Sequence, residues 1–199
     1  MPRRPLLAAA ATLSTLTLLT ACNGSPEAGR PNTTPTTPTP TPTAPSTPTW
    51  TAEEQTAITA AKARYIAART AVGNAFKQPA KANVSVLALA GNGGTWATTV
   101  AAQLDFQVKN GWYQTGDATI TGLAVRSVNL KLAQPEVRLT SCIDSSQVVD
   151  RYQANGKPVP IEGDNGSRHR FESRLIYGKS ARTGRNMWFL VDEKTTKTC

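Results

Sequence analysis

From Asn23 to Thr49 the chain is built almost entirely of Thr, Pro, Ser, Gly and Ala, with Thr-Pro steps repeating. A segment with so little apolar surface cannot offset the entropy lost on ordering it, so it contributes nothing to a core. Repeated proline biases it towards extended polyproline geometry at about 3.1 Å per residue, a stalk of up to ~80 Å. Whatever packs must therefore pack within the 150 residues from Trp50 to Cys199. That is the length of one domain, and it is enough for a sizeable core.

Ahead of the stalk, Met1-Pro2-Arg3-Arg4 forms a basic cap, and Pro5 to Ala21 is uncharged and rich in Leu and Ala. A positive cap before a short apolar run is the pattern of an export signal. The run is marginal for a membrane span, which needs about 20 apolar residues. Leu19-Thr20-Ala21-Cys22 places small residues before a cysteine and resembles the lipobox of bacterial lipoproteins. The resemblance implies that residues 1–21 are removed and that Cys22, then the first residue, carries diacylglycerol on sulfur. Two acyl chains anchor stably, since each buried methylene adds about 0.8 kcal/mol. The alternative is an ordinary secretory signal with an incidental cysteine. The expectation is a domain tethered by lipid, through residues 22–49, to the outer face of a bacterial cytoplasmic membrane.

Three of the 22 Lys plus Arg and one of the 13 Asp plus Glu precede Trp50, leaving 19 cations against 12 anions in the domain. Such a balance favours anionic surroundings such as phospholipid headgroups or wall polymers, or simply keeps the domain soluble. Export removes nucleic acid as a natural partner. Beyond Cys22, the two remaining cysteines are Cys142 and Cys199, and in an oxidising compartment such a pair is expected to form a disulfide. Metal binding competes poorly, because two cysteines and one distant histidine make an incomplete ligand set. No cofactor or metal is expected.

Thr51-Ala52-Glu53-Glu54 reads as a capping box, with Ile58, Ala61, Tyr65, Val72 and Phe76 following on helical spacing. That predicts a helix of about 22–26 residues, loosened at Gly73-Asn74 and ended before Pro79. Val84 to Ala90 reads as a second helix or a turn, broken by Gly91-Asn92-Gly93-Gly94. Trp96, Val100, Leu104 and Val108 predict a further helix up to Asn110-Gly111. After Gly116 the period becomes two. Ala124, Arg126, Val128, Leu130 and Leu132 share one face of a strand; Val137, Leu139, Ser141 and Ile143 share a face of the next. Val148 to Gln153 and Lys157 to Ile161 flank the hairpin signal Asn155-Gly156. Phe171, Ser173, Leu175 and Tyr177 form a further face, and Met187 to Val191 a last strand. Helices followed by antiparallel strands predict an α+β domain with helices covering one face of a curved sheet.

Four strings then resemble a known group. They are the lipobox and stalk leading into Trp50, the strand Val137 to Asp144 with its Cys-x-Asp ending, the Val148-Val149-Asp150 to Asn155-Gly156 hairpin, and Trp188-Phe189-Leu190-Val191 with the final Cys199. Together they resemble the nuclear transport factor 2-like superfamily, and more narrowly small actinobacterial and phage-borne lipoproteins within it. The resemblance implies a cone of helices and a strongly bent antiparallel sheet across residues 50–199. Homodimerisation through the open sheet face is also implied. Activities in the superfamily include isomerases and dehydratases alongside non-catalytic domains, so fold alone does not assign one.

No phosphate loop, paired-histidine zinc motif or nucleophile elbow occurs. His169 stands between Arg168 and Arg170 and reads as a surface residue, or as a proton shuttle with Asp144 or Asp117. Asp105, Asp117, Asp144, Tyr65, Tyr113 and Tyr152 are candidate parts of a catalytic set, with Asp144 better placed to cap a turn. Arg168, Arg170, Arg174, Lys179, Arg182 and Arg185 form a basic run opposed within its span only by Glu172, a candidate surface for an anionic partner. The expected function is a non-catalytic, lipid-anchored envelope protein whose domain docks an envelope protein partner. The alternative is a small-ligand binder or an isomerase-type enzyme using the cone interior. An interior filled by Trp96, Phe106, Phe171 and Trp188 favours the first, and a cavity with a converging carboxylate and tyrosine the second.

Overall fold

The computed structural model describes residues 49–160 and 168–199. Cys22, the export stretch and residues 23–48 lie outside the described residues, as does Ile161 at the end of the expected hairpin. Helix α1 (Ala52–Lys77) begins where the capping box places it. The Thr51 hydroxyl accepts from the Glu54 N–H at 3.2 Å, and the Glu54 carboxylate accepts from the Thr51 N–H at 2.9 Å. Two orphan donors are thereby satisfied. Ile58, Ala61, Tyr65, Val72 and Phe76 are buried as their spacing requires, joined by Ala68. Gly73 does not loosen the helix, which runs unbroken to Lys77.

After a single 3₁₀ turn at Pro79–Lys81, α2 (Val84–Ala90) is capped by Asn83 and ends at Gly91, whose φ of 101° only glycine adopts readily. In α3 (Gly94–Asn110), Trp96, Val100 and Leu104 are buried. Val108 is instead 43% exposed, and Gln107 takes the inward position. A spacing of four residues advances about 40° around a helix at each step, so the fourth member of the row has rotated out of the core.

Among the described residues six strands follow: β1 (Trp112–Thr115), β2 (Thr119–Asn129), β3 (Glu136–Asp144), β4 (Val149–Tyr152), β5 (Arg168–Lys179) and β6 (Asn186–Thr198). β2, β3, β5 and β6 form an antiparallel sheet in that order, while β1 and β4 pair separately. The domain is therefore α+β, with three N-terminal helices packed against an antiparallel sheet. Tyr65, Ala68, Val100, Val137, Leu139, Leu175 and Leu190 meet in the core between them.

Three strand expectations change. β1, which the alternation does not announce in four residues, is the true partner of β4. The Asn155-Gly156 turn does form, with the Gly156 N–H on the Tyr152 carbonyl at 2.8 Å, but its return arm makes a single bridge from Arg151 to Pro158. Proline has no N–H with which to continue a ladder. Along β2 and just past it the inward set is Ile120, Leu123, Val125, Val128 and Leu130; Val128 and Leu130 face inward as expected, whereas Ala124, Arg126 and Leu132 are exposed. The ladder to β3 slips between Thr121 and Ala124 and again between Val125 and Ser127, and each slip exchanges the faces.

A further slip falls in β6. Arg174 pairs with Asp192 but Leu175 pairs with Leu190, which leaves Val191 as the extra residue of a bulge. Strict alternation from Trp188 and Leu190 turns Asp192 inward; the bulge turns Glu193 inward instead, opposite Ser173. On the outer edge of β6, the loop between α2 and α3 takes up the free backbone groups. The Gly93 N–H donates to the Leu190 carbonyl at 2.9 Å, and the Leu190 N–H donates to the Gly91 carbonyl at 2.8 Å.

Asn92 at the centre of that loop is 3% exposed. It donates to the Ala68 and Leu87 carbonyls at 3.2 and 3.0 Å and accepts from the Trp96 indole N–H at 2.7 Å, tying the three helices together. Replacing it by alanine leaves these buried groups unpaired. Asn92→Ala is expected to lower stability by about 2 kcal/mol, read as a fall in the urea midpoint at unchanged slope.

Candidate functional site

The sheet, α1 and α3 enclose a cavity of about 620 Å³ at the end of the domain where β1 and β4 close it. Val72 and Phe76 of α1, Ile120 of β2 and Ile143 of β3 supply its apolar wall. Its polar lining comes from Arg69 and Gln103 on the helices, Gln114, Asp117, Ser145 and Ser146 around the β1–β2 and β3–β4 turns, Asp150 of β4 and His169 of β5. Donors and acceptors thus face one apolar-walled space. The volume falls within the range of small-molecule sites.

Behind Arg69 lies a buried ionic network. The Glu193 side chain, 1% exposed, accepts from Arg69 at 2.7 Å through one carboxylate oxygen. Its other oxygen accepts from the Tyr65 hydroxyl and from Ser173, both at 2.9 Å. Because Tyr65 gives its one proton to Glu193, Ser141 is the donor across the 2.7 Å contact between their hydroxyls. The Arg69 guanidinium lies 5.3 Å from the Trp96 ring centroid and 5.5 Å from that of Phe171, where ring quadrupoles favour a cation. Burial, reinforced by the Glu193 charge, pushes the Tyr65 hydroxyl well above its ordinary pKa against the opposing pull of Arg69. Tyr65 is therefore a permanent donor at neutral pH.

Two of the sequence candidates meet at the cavity, His169 and Asp117. His169 is half-buried rather than a surface residue, because its odd register position on β5 faces inward with Phe171 and Ser173. Asp117 is held at the rim by Lys77, at 2.5 Å. The other candidates go elsewhere. Asp105 pairs with Lys109 one turn along α3. Asp144 closes a turn by accepting from the Ser146 N–H at 3.0 Å, and bonding from the Ser146 hydroxyl, joined by that N–H, holds its carboxyl below the usual range. Tyr152 packs edge-on against Trp112, which in turn meets Phe106. Phe106 is thus 53% exposed on the far side of α3 and fills no interior. Tyr113 lies within 4 Å of the position a Cβ on Gly156 would take.

The residues that sequence reasoning missed are Arg69, Asp150, Gln107 and Glu193. Gln107 donates to Asp150 at 2.9 Å and so fixes that carboxylate at the cavity wall. The only available signal for Arg69 was its position four residues after Tyr65 on the buried side of α1.

The basic run divides between two places. Arg168, Arg170 and Arg174 lie on the outward face of the sheet, where β3 brings acids to two of them: Arg168 stands 3.9 Å from Asp144, and Arg174 bonds Glu136. Burial opposes ionisation of Glu136, but hydrogen bonds from Arg174 and Arg138 outweigh it and keep its carboxyl below the usual range. Lys179 is instead the last residue of β5, and Arg182 and Arg185 belong to the turn that follows it. Cys142 and Cys199 form a disulfide across a Cα separation of 6.1 Å.

No family model and no curated protein matches the sequence. Among solved structures, the chain is similar to the intermembrane space region of the chloroplast protein ARC6, with 14% identity over 76% of this chain and 100% of that one, at a TM-score of 0.45. It is also similar to a ketosteroid isomerase-like protein from Erwinia carotovora atroseptica SCRI1043, with 14% identity over 70% of this chain and 95% of that one, at a TM-score of 0.36.

Proposed function

We propose that this chain is a lipid-anchored, extracytoplasmic binding protein of the nuclear transport factor 2-like superfamily, whose cavity holds a small polar ligand without transforming it. The cavity carries this reading: donors and acceptors are arrayed around an apolar wall, and Asp150 is held in place by Gln107. The chemistry of the neighbouring carboxylate and phenol points to binding rather than turnover. Glu193 is saturated by three partners and neutralised by Arg69, and Tyr65 is kept protonated, so neither is poised to move a proton. The lipobox tetrad ending at Cys22 supports the anchor and the location on the outer face of the cytoplasmic membrane.

The ligand class that fits is a compact molecule with both donors and acceptors and a short apolar part. Thermal unfolding of the purified protein against amino acids, sugars and short dicarboxylates tests this. A ligand at a hundredfold excess over its Kd adds about 2.7 kcal/mol, a rise in Tm of several degrees. The rise is expected to vanish in Asp150→Ala. A compound that stabilises both proteins equally is not in the cavity.

A second reading, docking of an envelope protein, is favoured by the short helix α2, where Val84, Val86 and Leu89 are 62%, 57% and 45% exposed. Cross-linking from intact envelopes distinguishes the two, since a partner captured through α2 is lost in Val86→Lys and kept in Asp150→Ala.

A further inference from the structure

The end of the domain from which the chain leads back to Cys22 differs from the rest of its surface. The first turns of α1, through Glu53, Thr56 and Ala57, share a shallow apolar groove with Leu130, Pro135, Tyr177 and Trp188. Those four residues are the feet of two turns. The last pair of β2 and β3 is Asn129 with Glu136, and the last pair of β5 and β6 before their turn is Lys179 with Asn186. The start of α1 and both turns therefore lie at the same end of the sheet.

The β5–β6 turn exposes Lys179, Arg182 and Arg185, and no acid occurs between Tyr177 and Val191. The β2–β3 turn exposes Lys131 and a 45% exposed Leu132, again without an acid. Among the described residues none of these four cations forms an ion pair, whereas Arg126, Arg138 and Arg174 on the sheet face each hold a glutamate. The acids at this end are Glu53 and Glu54 of α1 and Glu136 at the foot of the β2–β3 turn; Glu54 is occupied by the Thr51 N–H, and Glu136 by Arg138 and Arg174. Unpaired cations beside an exposed leucine, at the point where the tether leaves, are complementary to an anionic bilayer surface.

We propose that this end docks on the anionic phospholipid surface, with Lys131, Lys179, Arg182 and Arg185 against phosphate groups and Leu132 at the headgroup boundary. The proposal rests on the lipid-anchor reading. Tethering holds the domain at high local concentration near the bilayer, so weak contacts suffice. Each cation close to an anionic surface strengthens association about fivefold, and reversing three changes it by roughly a hundredfold or more.

The test uses the full acylated chain on vesicles of phosphatidylcholine alone or with phosphatidylglycerol, reading energy transfer from tryptophan to a headgroup-labelled lipid. Transfer is expected to be severalfold higher with phosphatidylglycerol, to fall as salt is raised, and to drop to the phosphatidylcholine level in the Lys179→Glu, Arg182→Glu, Arg185→Glu variant at unchanged Tm. Transfer indifferent to phosphatidylglycerol, or untouched by the triple variant, overturns the docking. The anchor is scored separately by flotation. A chain that fails to float with phosphatidylcholine vesicles removes the anchor, while flotation on phosphatidylglycerol alone that the triple variant abolishes upholds the docking end without it.

Discussion

Arg69→Ala is expected to destabilise the domain by about 3–5 kcal/mol, because it removes the one counter-charge, among the described residues, of a carboxylate sealed in the core. Glu193 is 1% exposed and keeps only neutral partners, Tyr65 and Ser173, once the guanidinium is gone. The ion pair itself contributes little net stability, since two charges had to leave water to form it. The damage comes from breaking it on one side. Neutralising the survivor is therefore expected to recover much of the loss. Urea unfolding of wild type, Arg69→Ala, Glu193→Gln and the double variant measures this as a double-mutant cycle. A double variant no more stable than Arg69→Ala alone would show that the loss lies in packing against Trp96 and Phe171 rather than in the orphaned charge.

Loss of the disulfide is the second large effect. The bridge closes a loop across 57 residues of sequence, and its removal is expected to cost about 4 kcal/mol on the loop-entropy account. It also joins β3 to the very end of β6, two strands that β5 separates in the sheet. The final stretch of β6, from Lys194 to Thr198, is exposed and carries no apolar side chain to hold it down. In Cys142→Ala with Cys199→Ala, amide exchange should accelerate first over 194–198, together with the fall in the urea midpoint. Uniform acceleration across the whole sheet would instead place the effect on global unfolding alone.

The helices were legible because their signals are local. A capping box, an apolar row and a terminating glycine need no knowledge of the rest of the chain, and α1 and α3 end where those residues stand. The β3 face was legible because its ladder to β5 runs without a slip from Glu136 to Asp144. β2 was misread at its bulges, and β6 was read only as far as Val191 although it runs to Thr198, since a slip in register is decided by the partner strand and leaves no trace in the alternation itself. Glu193 is the clearest case. It sits beside Asp192 in a polar run, and only the extra residue Val191 turns it inward to meet Arg69 and Tyr65. Of the cavity, His169 and Asp117 were legible as candidates, whereas Arg69 and Asp150 were not, because they come from α1 and β4, whose meeting depends on how β4 pairs. The basic run was visible in sequence, but its division into neutralised rungs and a bare turn depends on which acids β3 supplies.

The α2–α3 loop that bonds to Leu190 has a consequence for how two copies of the chain can meet. An unpaired sheet margin is a template on which a neighbouring molecule can stack its own backbone. Here one margin is plugged midway by Gly91 and Gly93, and the other is kinked by the two slips in β2. Neighbouring copies thus find no straight seam along which to pair strand to strand.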